Sequence, residues 1–303
     1  MLKTNIAGVD LQSCVYNASG VNCTTKDELL ELSHSSSGAV VSKSCTLEYR
    51  EGNPKPRYFE NDTCSINSTG LANFGYKYYG DIELEKPYFV SVCGLSEENN
   101  MTMLKYLDNK LNICCIELNL SCPNIIGKSQ VGYDFETMGN FLRKVNEIGL
   151  QHKLGLKLPP YFDMVHFNQA SEIINENKID FLTCINSLGN GIVIDTDTDR
   201  VGIKPKRGFG GIGGSVVKSI ALSNVRKFYE LTDCDIVGCG GVVNGRDVYD
   251  HILCGASAVQ IGTQLKKEGV SVFDRINDEL GEVMKSRGYS ELSQFRGQLN
   301  EYE

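Results

Sequence analysis

A thiol set between two amides, in Asn119-Leu-Ser-Cys-Pro-Asn124, is the arrangement in this 303-residue sequence that most directly suggests chemistry. Cys122 ends an apolar run, Pro123 stops further strand pairing, and Asn119 and Asn124 present donors and acceptors together, as a polar ring requires. A cysteine so placed acts as nucleophile or general base to the extent that it is thiolate. The other reading of any cysteine is a small buried hydrophobe, and the chain has 12 of them. Two lysines stand inside apolar runs, Lys43 in Val-Val-Ser-Lys-Ser and Lys157 in Leu-Gly-Leu-Lys-Leu. A buried ammonium is costly unless an anion meets it, so both are expected to touch an anionic cofactor or substrate. The alternative is a stem that snorkels outward from a strand end. Asn67 and Asn186 add amides near strand ends, where asparagine is otherwise a turn former.

Glycines gather at three places: Gly208-Phe-Gly-Gly-Ile-Gly-Gly-Ser215, Gly238-Cys-Gly-Gly-Val242 and Gly262-Thr263. Each follows a strand-like or hairpin-like stretch and leads toward a helical one. That setting lets backbone N–H groups approach phosphate oxygens, although any single glycine also serves as a tight turn. The histidines, His34, His152, His166 and His251, fall in helical or interhelical stretches, and none is assigned to catalysis.

These groups need elements to hold them. Continuous apolar runs, the mark of parallel strands covered on both faces, occur at 14–17, 38–43, 87–94, 114–120, 153–158, 180–186, 235–238 and 258–262. Helical periodicity occupies 25–33, 96–110, 135–148, 163–177, 221–231, 245–254 and 272–287. Strand and helix alternating over the whole chain predict one (β/α)8 TIM-barrel domain spanning 1–303, with a doubly wound sheet as the competing arrangement. Three connections, 45–86, 121–133 and 187–215, are too long to be simple turns, and all follow strand C-termini, the face where barrels carry chemistry. Alternation around a turn within 191–203 predicts an inserted hairpin there.

Composition narrows the classes. Lys plus Arg is 30 against 38 Asp plus Glu, a net charge of −8, with no basic run, which argues against nucleic acid or an anionic membrane as partner. No unbroken apolar segment of about 18 residues occurs, so the expectation is a cytoplasmic protein. The absence of any Cys-x-x-Cys pair argues for reduced thiols and no metal.

Taken together, Ser42-Lys-Ser-Cys-Thr46, Ser65-Ile-Asn-Ser-Thr-Gly-Leu-Ala-Asn73, Ile185-Asn-Ser187 and the loop opening at Asn119 resemble the dihydroorotate dehydrogenases. The likeness extends from Val15-Tyr-Asn-Ala-Ser-Gly20 to Glu291-Leu-Ser-Gln-Phe-Arg-Gly297. A cysteine in the loop is similar to the soluble class 1 enzymes, and Gly127-Lys-Ser-Gln130 with Tyr133-Asp-Phe135 resembles class 1A, the homodimeric fumarate-using type.

The resemblance implies FMN bound without a covalent link. Its phosphate would meet Gly213, Gly214, Gly240, Gly241, Gly262 and Thr263. Ala18, Ser19, Gly20, Lys43, Ser44, Asn119, Lys157 and Ile185 would surround its ring system. Dihydroorotate would be held by Asn67, Asn119, Asn124 and Asn186, with Lys43, Gly70, Leu71 and Ser187 nearby. Cys122 would remove the C5 proton as hydride passes from C6 to flavin N5, yielding orotate for pyrimidine (UMP) synthesis while fumarate becomes succinate. Two positions depart from the pattern: Thr69 stands where Met is expected, and Ser215 where Lys is usual. The competing readings are the catalytic subunit of an NAD-linked class 1B enzyme and a flavin-binding barrel without catalysis. Neither a spare dinucleotide-binding Gly-x-Gly-x-x-Gly unit nor iron–sulfur cysteine spacing supports the first.

Overall fold

The apolar runs form eight parallel strands: β1 (Val15–Asn17), β2 (Val40–Val41), β3 (Tyr88–Val92), β4 (Cys115–Asn119), β5 (Lys153–Leu158), β6 (Phe181–Cys184), β7 (Asp235–Cys239) and β8 (Ala258–Ile261). The computed structural model describes residues 1–121 and 130–302. The strands run in the order β1-β8-β7-β6-β5-β4-β3-β2, so β1 and β2 are the ladder's two ends. They meet through a side chain. Asn17 Nδ2 donates to the Val41 carbonyl at 2.7 Å and Asn17 Oδ1 accepts from the Val41 N–H at 2.9 Å. A carboxamide carries the same donor and acceptor as a peptide group, so Asn17 stands in for the missing ladder rung. One step earlier, the Gly38 N–H donates to Val15 at 2.8 Å. A Cβ on Gly38 would overlap the Ser13 carbonyl, which is why glycine stands there.

Helices α1 (Lys26–His34), α2 (Tyr76–Gly80), α3 (Glu97–Leu107), α4 (Phe135–Ile148), α5 (Met164–Asn175), α6 (Lys218–Leu231), α7 (Gly245–Leu253), α8 (Thr263–Glu268) and α9 (Val272–Ser286) cover the outside. Their starts are chemically marked. Thr25 and Glu28 form a capping box on α1, Asn244 and Asp247 another on α7, and Asp134 caps α4. Inside, the lower barrel is aromatic. Tyr16 packs edge-on against Phe89 at 5.8 Å between ring centroids, and Phe89 lies 6.0 Å from Phe181. Gly155 makes room for this plug, since a Cβ there would overlap the Phe181 ring.

The long connections build a second layer over the strand C-termini. Residues Leu188–Ile192, Phe209–Gly213, Ser65–Asn67 and Tyr58–Glu60 form an antiparallel sheet in that order, around a small core of Ile66, Val193 and Ile203. The inserted hairpin is present, as Ile194–Asp195 paired with Arg200–Val201. The four-stranded sheet was not anticipated. Its central pairing, Ser65–Asn67 with Phe209–Gly213, joins segments over a hundred residues apart, and the strand Phe209–Gly213 is so rich in glycine that it reads as a loop. Those glycines are packing requirements: a Cβ on Gly210 would press on the Asn67 carbonyl, and one on Gly211 would overlap Ser187. An N-terminal hairpin, Thr4–Ile6 with Val9–Leu11, and the short helices α2 and α8 also went unread.

If Asn17 closes the barrel, Asn17→Ala leaves a buried N–H and a buried carbonyl without partners. The expected loss is about 2–6 kcal/mol, on the order of 1–3 kcal/mol for each abandoned group. A fall in the urea midpoint at unchanged slope is the expected result; a loss below about 0.5 kcal/mol would show that the seam is held otherwise.

Candidate active site

The pocket lies at the C-terminal mouth of the barrel, beneath the second sheet, and holds about 1220 Å³ of empty space including its opening. Its first wall is the seam. Closing β1 onto β2 brings the turn after β1 against the chain leaving β2, with the Lys43 N–H donating to Cys23 at 2.9 Å and the Ser44 N–H to Ser19 at 3.2 Å. Ala18, Ser19, Gly20, Lys43 and Ser44 all line the pocket as a result. The Lys43 residue is 8% exposed, and its ammonium forms no hydrogen bond or ion pair with a described residue. A cation so enclosed favours an anionic guest.

A chain of small polar groups continues round the mouth. Ser44 Oγ lies 2.9 Å from Ser91 Oγ, and Asn119 Nδ2 donates to Ser44 Oγ at 3.2 Å. Asn119 Oδ1 accepts from the Ser121 N–H at 3.0 Å and from Asn186 Nδ2 at 3.3 Å, and Asn186 Nδ2 also donates to Ser121 Oγ at 2.6 Å. The amides after β4 and β6 are thereby fixed to each other, and the chain entering the 122–129 segment is anchored at Ser121. On the opposite side, Asn67 Nδ2 donates to the Gly211 carbonyl at 3.2 Å. Lys157, 3% exposed, lies at the pocket floor with Nζ 2.8 Å from Gln260 Oε1 and 3.3 Å from Cys239 Sγ.

The third wall is glycine backbone. Gly213 and Gly214 end the Phe209–Gly213 strand, Gly240 and Gly241 follow β7, and Gly262 and Thr263 follow β8; all six line the pocket. Gly241 adopts φ +78°, and a Cβ there would overlap the Lys218 backbone. No side chain caps the starts of α6 or α8 beside this wall, so their leading N–H groups have no side-chain acceptor. A surface of glycine backbone with two ammonium groups across the cavity fits a phosphorylated, partly anionic ring cofactor. Lys218 itself is spoken for, paired with Asp247 at 2.5 Å and Asp250 at 2.7 Å. Ser215 donates instead to the Thr63 carbonyl at 3.1 Å.

Of the residues singled out from sequence, Asn67, Leu71, Asn119, Lys157, Ile185, Asn186 and Ser187 also line this one pocket. Gly70 does not. It forms the turn before Leu71 with φ +69°, and its carbonyl accepts from Arg50 Nε at 3.3 Å. Cys122 and Asn124 lie outside the described residues. Sequence reading missed Tyr58, Ser65, Ile212, Val217, Cys239 and Gln260 in the lining. Gln260 carried a signal, being a polar residue inside an apolar strand as Lys157 is. Among the other thiols, burial pushes Cys14 and Cys23 up to about 12, so these remain protonated packing residues.

His251 supports the glycine wall from behind: its Nε2 lies 3.1 Å from the Gly240 carbonyl, which makes Nε2 the protonated nitrogen of a neutral ring. Burial lowers its pKa from 6.5 to about 4. The unfolded chain therefore takes up a proton, as pH falls from 6.5 to 4, that the native protein refuses, and stability drops through that window. The expected contribution is on the order of 3 kcal/mol. Urea midpoints at pH 7 and pH 4.5 check it: His251→Gln should flatten this part of the pH dependence, and an unchanged slope would assign it to other groups.

Comparison with known proteins gives concordant results. The sequence profile described as dihydroorotate dehydrogenase matches residues 1–284. The chain is 47% identical over 309 residues to dihydroorotate dehydrogenase A (fumarate) of Lactococcus lactis subsp. lactis, covering 99% of each. It is 51% identical over 308 residues to a Streptococcus agalactiae protein provisionally given the same description, covering 99% of this chain and 98% of that one. A DHODH of Eimeria tenella, solved with ferulenol, superposes with a TM-score of 0.82 at 20% identity, over 98% of this chain and 88% of the other. At that identity the likeness speaks for the fold alone.

Proposed function

The chain belongs to the dihydroorotate dehydrogenase family, and on that premise we propose that its pocket oxidises dihydroorotate to orotate with fumarate as electron acceptor, using bound FMN, in pyrimidine synthesis. The observation that carries this reading is a single pocket joining a wall of glycine backbone, two buried ammonium groups and a linked set of carboxamides. FMN supplies the hydride-accepting ring. Gly213, Gly214, Gly240, Gly241, Gly262 and Thr263 hold its phosphate. Ala18, Ser19, Gly20, Lys43, Ser44, Asn119, Lys157 and Ile185 hold its rings, with Lys157 favouring negative charge there.

Asn67, Asn119, Asn124 and Asn186 orient the substrate, whose ring presents donors and acceptors together, while Lys43, Leu71 and Ser187 complete its surroundings. Lys43, lacking a described counter-ion, receives the substrate carboxylate. Cys122 takes the C5 proton. The anchoring of Ser121 by Asn119 and Asn186 supports this role, because it fixes the chain one residue before the thiol. After orotate leaves, fumarate presents carboxylates to the same ammonium and amides, so the two substrates alternate at one place. The free thiols among the described cysteines suit a reducing compartment, and we assign the protein to the cytoplasm.

A second copy of the chain completes the assembly. The inserted strands expose Ile192, Ile194, Val201 and Phe209. Apolar groups grouped on one insertion suit a two-fold contact.

Three experiments test this reading. Cys122→Ala should retain FMN yet lose bleaching by dihydroorotate in the absence of oxygen by at least about 100-fold, the scale of a lost general base; near-normal bleaching would remove Cys122 from the role. In the wild type, fumarate should restore the colour of the reduced protein. Colour returned by NAD and not by fumarate would sink the assignment of the acceptor. Sedimentation should give twice the 33.4 kDa chain mass, and Ile194→Glu with Phe209→Glu should shift the protein to monomer; a monomeric wild type refutes the dimer.

A further inference from the structure

Glu117 is the one acidic side chain of β4, and its position has no role in the reaction described above. It is 1% exposed, lies two residues before Asn119, and so points into the barrel below the pocket. Thr183 Oγ1 donates to its Oε2 at 2.9 Å, and Gln260 Nε2 donates to the same oxygen at 3.1 Å. The other end of the Gln260 amide, Oε1, accepts from Lys157 Nζ at 2.8 Å. A buried carboxylate and a buried ammonium are thus joined through one carboxamide.

The amide has only one tolerable orientation here. Turned over, it would aim its NH2 at the ammonium and its carbonyl at the carboxylate, opposing like poles at both ends. Glu117 therefore fixes Gln260, and Gln260 fixes Lys157. Tyr16 adds no charge to this layer, because burial and the neighbouring Glu117 carboxylate hold its phenol well above the ordinary range. The second carboxylate oxygen, Oε1, is buried without a partner among the described residues.

We infer that Glu117 is a positioning residue for the flavin site: acting through Gln260, it holds the Lys157 ammonium at the pocket floor and offsets part of its positive potential. This rests on the proposal that the pocket binds a flavin. Reduction adds negative charge to the bound group. Lys157 favours that charge, and the Glu117 carboxylate behind it opposes it, more strongly in a dry interior than in water. The pair sets how much tighter the site binds the reduced than the oxidised cofactor.

The test is the reduction potential of the bound flavin in holoenzyme of the wild type, Glu117→Gln and Gln260→Met. Glu117→Gln preserves volume; its oxygen can still accept from Thr183 and Gln260 while its NH2 takes the unpartnered Oε1 position. Removing the charge should raise the preference for reduced flavin at least tenfold, about 30 mV upward for a two-electron couple. Gln260→Met cuts the link and leaves the carboxylate in place, so the preference should fall by a similar factor. Opposite signs are the signature, because a loosened core would shift both the same way. Shifts in one direction, or potentials within threefold of the wild type, overturn the inference. If Glu117→Gln yields no holoenzyme, Gln260→Met decides by the same reading, and failure of both makes the role structural and overturns it. A wild type that binds no flavin overturns the flavin reading itself and this inference with it, an outcome distinct from unchanged potentials in coloured variants.

Discussion

The seam between β1 and β2 is the constraint from which the rest of the molecule follows. A parallel sheet leaves unpaired N–H and C=O groups along both edges, and a barrel removes those edges by joining them. Here the join is made by the carboxamide of Asn17 against the Val41 backbone, with the Gly38-to-Val15 bond below it. The same closure brings residues 18–20 to face 43–44. One wall of the pocket, with Ser19, Lys43 and Ser44, is thus assembled by barrel closure and needs no separate device. Chemistry at the mouth and stability of the sheet share this contact, which explains why the segments leaving β1 and β2 are tied by backbone hydrogen bonds of their own at Lys43 and Ser44.

What the sequence made legible was whatever depends on a short stretch of chain. The helix Phe135–Ile148 and the strand Lys153–Leu158 coincide with the segments read from periodicity and apolar continuity, because local pattern and tertiary burial agree there. That the glycines after β7 and β8 line the pocket was legible for a similar reason, since a strand end, a glycine-containing turn and a helix start are consecutive. The four-stranded cover was not. The strand Ser65–Asn67 pairs with Phe209–Gly213, and nothing in either stretch names the other. The glycines of the latter are there to let Asn67 and Ser187 come close, a requirement invisible until the partner is in place.

The polar interior shows the same limit. Lys157 stands out in its strand because a lysine between leucines is conspicuous. Glu117 lies in an equally apolar run, Cys115-Ile-Glu-Leu-Asn119, yet its meaning depends on Thr183 and Gln260, which come from strands 66 and 143 residues away. Only the barrel's register, placing Thr183 beside Lys157 and Gln260 beside Cys239, gathers them into one layer.

That layer borders the pocket, with Lys157 and Gln260 in its lining. Beside it Tyr16, and below it Phe89 and Phe181, fill the barrel with rings, and the cleared space at Gly155 makes room for Phe181. Glu117 and Lys157 are themselves buried above these rings, 1% and 3% exposed. With solvent kept from one side, the polarisable neighbour left to the ammonium is whatever occupies the mouth, so a charge appearing there interacts at low effective dielectric. An enlarged residue at Gly155 would displace the plug before it touched the pocket, and its effect on the site would come through the hydration of this layer. The aromatic floor thus belongs to the electrostatics of the site as much as to the packing of the core.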